Sequence, residues 1–198
     1  MEICPRIFLI MNKRKILFSI FIIFIGVTIR IFLNEVIRIP NFEAVTSLSL
    51  VSGSFLGGVF APVIPLFIIF LSDTYFGFGH HPIYLFTWSA FILIGIFGLL
   101  FKKNSKYYFL KITGGGIASV LFFYLWTNFG WWLSFGMYPM NLQGLIQSYI
   151  AGLPFLKNQL ISVLVFTPVF TALFSLVYDK FLIKEKKHED FAFVAKIP

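Results

Sequence analysis

Long apolar stretches separated by short polar or basic segments run through most of the chain. A helix needs roughly 20 mostly apolar residues to cross the hydrocarbon core of a bilayer. By that measure the sequence predicts six spans, at Ile16–Leu33, Ala44–Gly58, Val59–Phe76, Ile83–Phe101, Leu110–Asn128 and Leu160–Tyr178. The second span is shorter than the others and rich in Ser and Gly, so we expect it to be short, tilted or partly re-entrant.

The segment between the last two spans, Phe129–Leu156, mixes aromatic, polar and apolar residues and does not read as a clean span. Within it, Asn141–Gly152 is predicted to form a separate helix lying in the membrane interface. Together with 34–43 and 77–82, this segment carries much of the chain's polar and irregular sequence. All three fall on the same side of the membrane if the six spans alternate in direction.

Lysine and arginine are concentrated in the segments predicted on the opposite side of the membrane. Cytoplasmic loops of membrane proteins are enriched in these residues. The cytoplasmic set is Lys13, Arg14, Lys15, Lys102, Lys103, Lys106, Lys111, Lys180, Lys184, Lys186 and Lys187. Both termini are therefore predicted to be cytoplasmic. The chain divides into a basic N-terminus at 1–15, one transmembrane domain at 16–178 and a charged cytoplasmic tail at 179–198.

The composition supports an all-α integral membrane bundle. Of the 198 residues, 59% are hydrophobic and only 12% are charged, whereas a soluble domain is about half apolar and about a quarter charged. The net charge of +8 lies in short clusters between spans and does not form one face. It therefore favours contact with anionic membrane lipids over binding of nucleic acid.

Small residues recur at helical spacing in two places. Ser49, Gly53 and Gly57 lie four residues apart in the second predicted span, and Gly114 and Ala118 repeat that spacing in the fifth. Small residues on one face allow helix backbones to approach closely in a membrane. Each stripe is expected to serve internal helix packing or, as the alternative, docking of a partner subunit.

Asp73 is the most informative single residue, because a carboxylate within a membrane span usually faces the bundle interior or a wet cavity. We therefore expect Asp73 to contact a ligand or an ion. The alternative is an interfacial carboxylate that caps a helix or pairs with Arg30 or Arg38. His80 and His81 follow in the next loop. A solvated or substrate-facing loop is the preferred interpretation, and we expect no metal site.

The stretch from Asn128 to Pro139 is dense in aromatic residues, including Trp131, Trp132 and Tyr138. It is interpreted as an aromatic belt at the membrane interface, or alternatively as an aromatic lid over a small organic ligand. Gln143 and Gln147 follow one helical turn apart, and amide groups beside aromatic rings suit a flat, polar ligand.

Catalytic signatures are absent from the sequence. There is no GxxxxGK[ST] phosphate loop, no HExxH metalloprotease motif and no GxSxG nucleophile elbow. The only cysteine, Cys4, allows no internal disulfide and no multi-cysteine metal site. The chain is therefore not expected to be an enzyme or to hold a cofactor.

Several segments resemble a group of uncharacterised bacterial membrane proteins. They are Pro40–Val45 entering a Ser/Gly helix, Ser72-Asp73 before a Gly-containing loop, Ser134–Pro139, Gly144-Leu145 and Tyr149–Phe155. That group is similar in turn to the substrate-binding S components of energy-coupling factor (ECF) transporters. The similarity covers roughly Ile16 to Tyr178.

The resemblance implies a six-helix protein of the bacterial cytoplasmic (inner) membrane that binds a micronutrient at its outer side. It also implies pairing with a transmembrane coupling subunit and two ATPases. By position, Asn41, Asp73, Trp88, Asn128, Trp131 and Tyr138 would lie at or near the outer cavity. The leading hypothesis is thus a small-molecule binding subunit for uptake. A membrane scaffold that binds another protein is the alternative, and a small membrane enzyme is a third.

Overall fold

The computed structural model describes residues 13–77, 79 and 81–178, and in them the chain forms six α-helices and no strand. The prediction of an all-α fold is confirmed. The helices are α1 (Lys13–Phe32), α2 (Val45–Leu56), α3 (Phe60–Phe76), α4 (Ile83–Gly98), α5 (Tyr108–Phe135) and α6 (Leu142–Tyr178). Cys4, His80, the first part of the predicted basic N-terminus and the predicted tail at 179–198 lie outside the described residues.

The two ends of the bundle carry different residues. At one end the Lys15 ammonium lies 3.5 Å from the carbonyl oxygen of Leu56, and the Lys103 ammonium lies over the Tyr178 ring. We call this the lysine end. At the opposite end, His81 stacks on Phe135, which joins the α3–α4 connection to the end of α5. We call this the cavity end, for the cavities described below.

Helix α2 is the centre of the bundle and contacts all five other helices. Every residue from Val45 to Leu56 is buried except Ser54, which is half-buried. Its 12 residues make a helix about 18 Å long, shorter than the hydrocarbon core of a bilayer. The helix ends where Gly57 and Gly58 take positive φ angles of 64° and 53°, a conformation that glycine adopts without steric cost. The second predicted span is therefore a short central helix.

Glycines let α2, α3 and α4 touch backbone to backbone. A Cβ on Gly53 would lie 2.0 Å from the Gly95 carbonyl oxygen, and one on Gly95 would lie 2.1 Å from the Ala61 carbonyl oxygen. Gly98 approaches the Leu50 carbonyl in the same way. The contact through Gly53 shows internal packing for the first predicted stripe.

The other stripe residues have different surroundings. Ser49 is buried and donates to the Val45 carbonyl at 2.7 Å. In the second predicted stripe, Gly114 is exposed and has open space beside it. Ala118 is exposed in an apolar groove between α4 and α5. The two stripes are therefore not equivalent, since only the first is covered by other helices of the chain.

Helices α5 and α6 are longer than the sequence predicted. Helix α5 continues to Phe135, and α6 is one helix of 37 residues that contains Pro154 and Pro168. The prediction of a separate interfacial helix at Asn141–Gly152 was wrong. Hydropathy detects only the apolar part of a helix, so it does not give the full length of the helix. A proline can also lie inside a membrane helix where neighbouring groups form hydrogen bonds with the backbone carbonyls that it leaves without a donor.

The surface is compatible with a membrane protein. Helix α1 with its terminal π-helical turn (Lys13–Ile37), α5 and α6 are long and apolar enough to cross a bilayer, while α2, α3 and α4 are shorter apolar helices. Large apolar side chains such as Leu17 and Phe24 are more than 60% exposed. A contiguous surface of this kind is rarely left facing water.

Candidate functional site

A carboxylate at the cavity end joins three helices. Asp73, in the last turn of α3, is 6% exposed. One of its oxygens lies 2.6 Å from Nη1 of Arg30 on α1, and the other accepts a hydrogen bond of 2.7 Å from the indole Nε1 of Trp88 on α4. Arg30 also donates to the Ser72 hydroxyl. Asp73 therefore pairs with Arg30 and also lines a cavity.

A second carboxylate lies just before α2. Glu43 accepts a hydrogen bond of 2.9 Å from the backbone N–H of Thr46 and another from its hydroxyl. The side-chain amide of Gln159, on α6, donates to the same carboxylate at 3.1 Å and to the Thr46 hydroxyl at 3.3 Å. Gln159 is 1% exposed. These bonds fasten the start of the central helix to the middle of α6.

The segment before Glu43 is held in the same way. The amide of Asn158 donates to the Pro40 carbonyl at 2.9 Å. Arg38 and Asn41 take left-handed conformations, with φ of 57° and 56°; asparagine is enriched there among residues other than glycine. The chain thereby turns from α1 into α2 with Asn41 on the cavity wall.

The end of α5 forms an aromatic wall against α6. Phe135 stacks with both Trp131 and His81, at ring centroid distances of 3.8 and 3.7 Å. One turn earlier, Asn128 packs so closely against Gly152 of α6 that a Cβ there would lie 2.4 Å from the Asn128 side-chain oxygen. The glycine thus allows an amide to sit between the two long helices.

Two cavities open between these groups, with volumes of about 430 and 270 Å³. They adjoin, because both are lined by Asn41, Ile83, Thr87, Phe123 and Gln159. The larger lies against the aromatic wall, and the smaller reaches the two carboxylates and Arg30. The polar and aromatic groups that line only the larger are Tyr124, Thr127, Asn128, Trp131, Tyr138, Ser148 and Phe155.

Five of the predicted site residues come together in this way: Asn41, Asp73, Asn128, Trp131 and Tyr138 all line one or both cavities. Of the other predicted residues that the structure describes, Trp88 donates its indole N–H to Asp73, and His81 stacks on Phe135. Gln143 is exposed in the first turn of α6 and lines neither cavity.

Sequence reasoning missed Glu43 and Gln159 as members of the site. Gln159 sits next to the last apolar run, and a polar side chain at membrane depth usually faces the bundle interior. That signal was present in the sequence. Glu43 stands three residues before Thr46, as a carboxylate that caps a helix does.

Comparisons with known proteins give a family and no function. Residues 10–188 match the family described as a family of unknown function (DUF6580). No curated protein and no solved structure matches the chain. The geometry of the cavities is thus the main guide to what the protein does.

Proposed function

The chain belongs to the DUF6580 family, and from that premise we propose that it is a membrane-embedded subunit that binds a small organic molecule. The two adjoining cavities at the cavity end are the observation that carries this proposal. Small-molecule sites are commonly about 300–1,000 Å³, mostly apolar, with a few polar groups that orient the ligand. The larger cavity, of about 430 Å³, falls in that range.

The energetic cost of the polar groups supports a binding role. Ionisable side chains within membrane segments are expensive, and they usually line ligand or ion pathways. Arg30, Asp73 and Glu43 all line the smaller cavity. If their role were only to hold helices together, the cavity that they line would not be needed.

In this proposal all six helices contribute to a multi-pass bundle in the bacterial cytoplasmic membrane, with the lysine end in the cytoplasm and the cavity end outside. This orientation follows the distribution of lysines. A ligand arriving from outside would then meet the cavities first. An uptake role like that of an ECF S component fits this arrangement, with a coupling subunit and ATPases supplying the energy.

The test is mass spectrometry of small molecules released from gently purified protein. We expect wild-type protein to retain one compound in near-stoichiometric amount and Trp131→Ala to lose most of it. Trp131 lines the larger cavity and its side chain is 38% exposed, so the substitution removes a wall of the site with little effect on the core.

Trp132→Ala is the matched control. Trp132 is the next residue on α5, lines neither cavity, and donates to the Pro139 carbonyl at 2.9 Å. It should keep the compound. Equal loss in both variants would trace the effect to folding, and retention in both would show that the compound binds outside the cavities.

One observation favours the scaffold alternative. The exposed Gly114 and the groove at Ala118, also lined by Leu93, Phe97 and Phe122, form an apolar face with small residues that a partner helix could approach closely. The same purification tests it. A second membrane protein in fixed ratio, lost in Ala118→Leu and accompanied by no retained compound, would favour the scaffold.

A further inference from the structure

We propose that the ligand is a small organic cation with a flat aromatic body, its charge lying near Glu43 and its body against the aromatic side chains that line the larger cavity. This inference rests on the proposed binding function and specifies its ligand. It depends on which charges line the cavities, how each is paired, and what lies beside them.

The charged groups of the cavity wall do not balance. Arg30, Asp73 and Glu43 are the charged residues that line the two cavities. Arg30 and Asp73 form an ion pair, so their charges largely cancel. Glu43 has no ion pair among the described residues, and its hydrogen-bond donors, Thr46 and Gln159, are uncharged. One negative charge therefore remains on the wall.

The position of Glu43 before α2 reduces this charge only in part. The N-terminus of a helix is equivalent to roughly half a positive charge. At this terminus the Thr46 N–H already donates a hydrogen bond to the Glu43 carboxylate. A ligand cation would complete the pairing. An anion would instead meet an uncompensated carboxylate at short range, where the surrounding protein screens charge poorly.

The larger cavity suits the rest of such a ligand. Trp131, Tyr138, Phe123 and Phe155 line it, and aromatic faces attract organic cations as well as stack on flat rings. Asn41 and Gln159 lie where the two cavities adjoin. A molecule with an ammonium at one end and a ring at the other can therefore reach both.

A matched set of four compounds tests the charge. Tryptamine, tryptophol, indole-3-propionate and tryptophan share one ring and a short side chain, but are respectively cationic, neutral, anionic and zwitterionic at neutral pH. Detergent-purified protein is equilibrated with all four at equal concentration, and the bound fraction is measured by mass spectrometry. We expect tryptamine to be enriched over tryptophol by about tenfold, as one charged hydrogen bond would give.

Glu43→Gln should abolish that preference, because the amide carries no negative charge, while its oxygen can still accept a hydrogen bond from Thr46. Glu35→Gln is the control: Glu35 lies at the same end, is exposed and lines neither cavity. It should keep the tenfold preference.

Three outcomes would overturn the inference: equal or greater enrichment of the neutral or anionic compound, an unchanged preference in Glu43→Gln, or no enrichment of any member. In the first two, binding in the cavities would still stand, so only the charge of the ligand would be wrong. If no member is enriched, the compound retained on purification shows whether the protein binds a small molecule at all. The charge of that compound can then be read directly.

Discussion

The packed middle of the bundle and its cavity end are built on different physical principles. Around Gly53, Gly95 and Gly98, three helices meet through backbone contacts that leave no room for a Cβ. At the cavity end, α5 and α6 still pack closely at Asn128 and Gly152, but α1 is tied to α3 and α6 to the start of α2 by side chains, through the Arg30–Asp73 pair and the Glu43–Gln159 bond. Close packing gives rigidity without space, whereas long polar side chains connect helices across a gap.

This difference explains how a small bundle can hold a cavity. In a membrane, helix association depends on packing and interhelical hydrogen bonds, because lipid is as apolar as the helix surfaces. The glycine contacts fix α2, α3 and α4 as a unit. The polar contacts then attach α1 to α3 and α6 to α2, and leave open the space that we propose a ligand fills.

Breaking the packed middle should have the largest effect. Gly95→Ala places a methyl group 2.1 Å from the Ala61 carbonyl oxygen, and a backbone atom cannot move aside as a side chain can. We expect a loss of about 3 kcal/mol or more, the upper end for overpacking, measured as the free energy of unfolding in mixed detergent micelles.

Gly114→Ala is the matched control, since a Cβ at Gly114 meets no atom within 4 Å. It should change stability by less than about 0.5 kcal/mol. Equal stability of the two variants would mean that the three helices are not packed as closely as the structure shows.

Breaking the ion pair should have an intermediate effect. Arg30→Met leaves the Asp73 carboxylate without its positive partner, and we expect a loss of about 2 kcal/mol, reduced from the value for a fully buried pair because the Arg30 side chain is 19% exposed. The double variant Arg30→Met/Asp73→Asn removes both charges and keeps an oxygen that can accept from Trp88.

The double variant should therefore be more stable than Arg30→Met alone, which a double-mutant cycle measures directly. Additive losses would indicate that the two side chains do not interact, and that Asp73 is held by Trp88 alone.

Among the residues that line the cavities, the sequence singled out Asn41, Asp73, Asn128, Trp131 and Tyr138 but missed Glu43 and Gln159. Asp73, Trp131 and Tyr138 stand out because they interrupt or end apolar runs. Gln159 does not, because one amide scarcely alters the hydropathy of a long helix, and its contact with Glu43 joins residues 116 positions apart. Such a pairing depends on how α6 crosses α2, which no local pattern contains.

The same reason explains the errors in helix length. The short second span predicted at Ala44–Gly58 agrees with α2, and this helix stops at Leu56 because two glycines turn the chain. The run beginning at Leu160 suggested the start of a helix, but α6 begins at Leu142, where the Asn141 side chain accepts a hydrogen bond of 2.9 Å from the Gly144 N–H. Capping and turn residues set the boundaries, and hydropathy does not record them.

Removing one polar tie at the cavity end should have the smallest effect on stability. Gln159→Leu takes one donor from Glu43 and leaves the two from Thr46, so we expect a loss of about 1 kcal/mol. Ser162→Ala, one turn further along α6, removes only a local bond to the Gln159 carbonyl and should cost less than Gln159→Leu. Retention of the bound compound should separate the two variants more clearly than stability does. Gln159→Leu should lose the compound although the fold survives, because Gln159 lines both cavities, whereas Ser162→Ala should keep it.

If Gln159→Leu unfolds the protein as strongly as Gly95→Ala, the cavity end is as much a part of the packed core as the middle, and the contrast between the two regions is wrong.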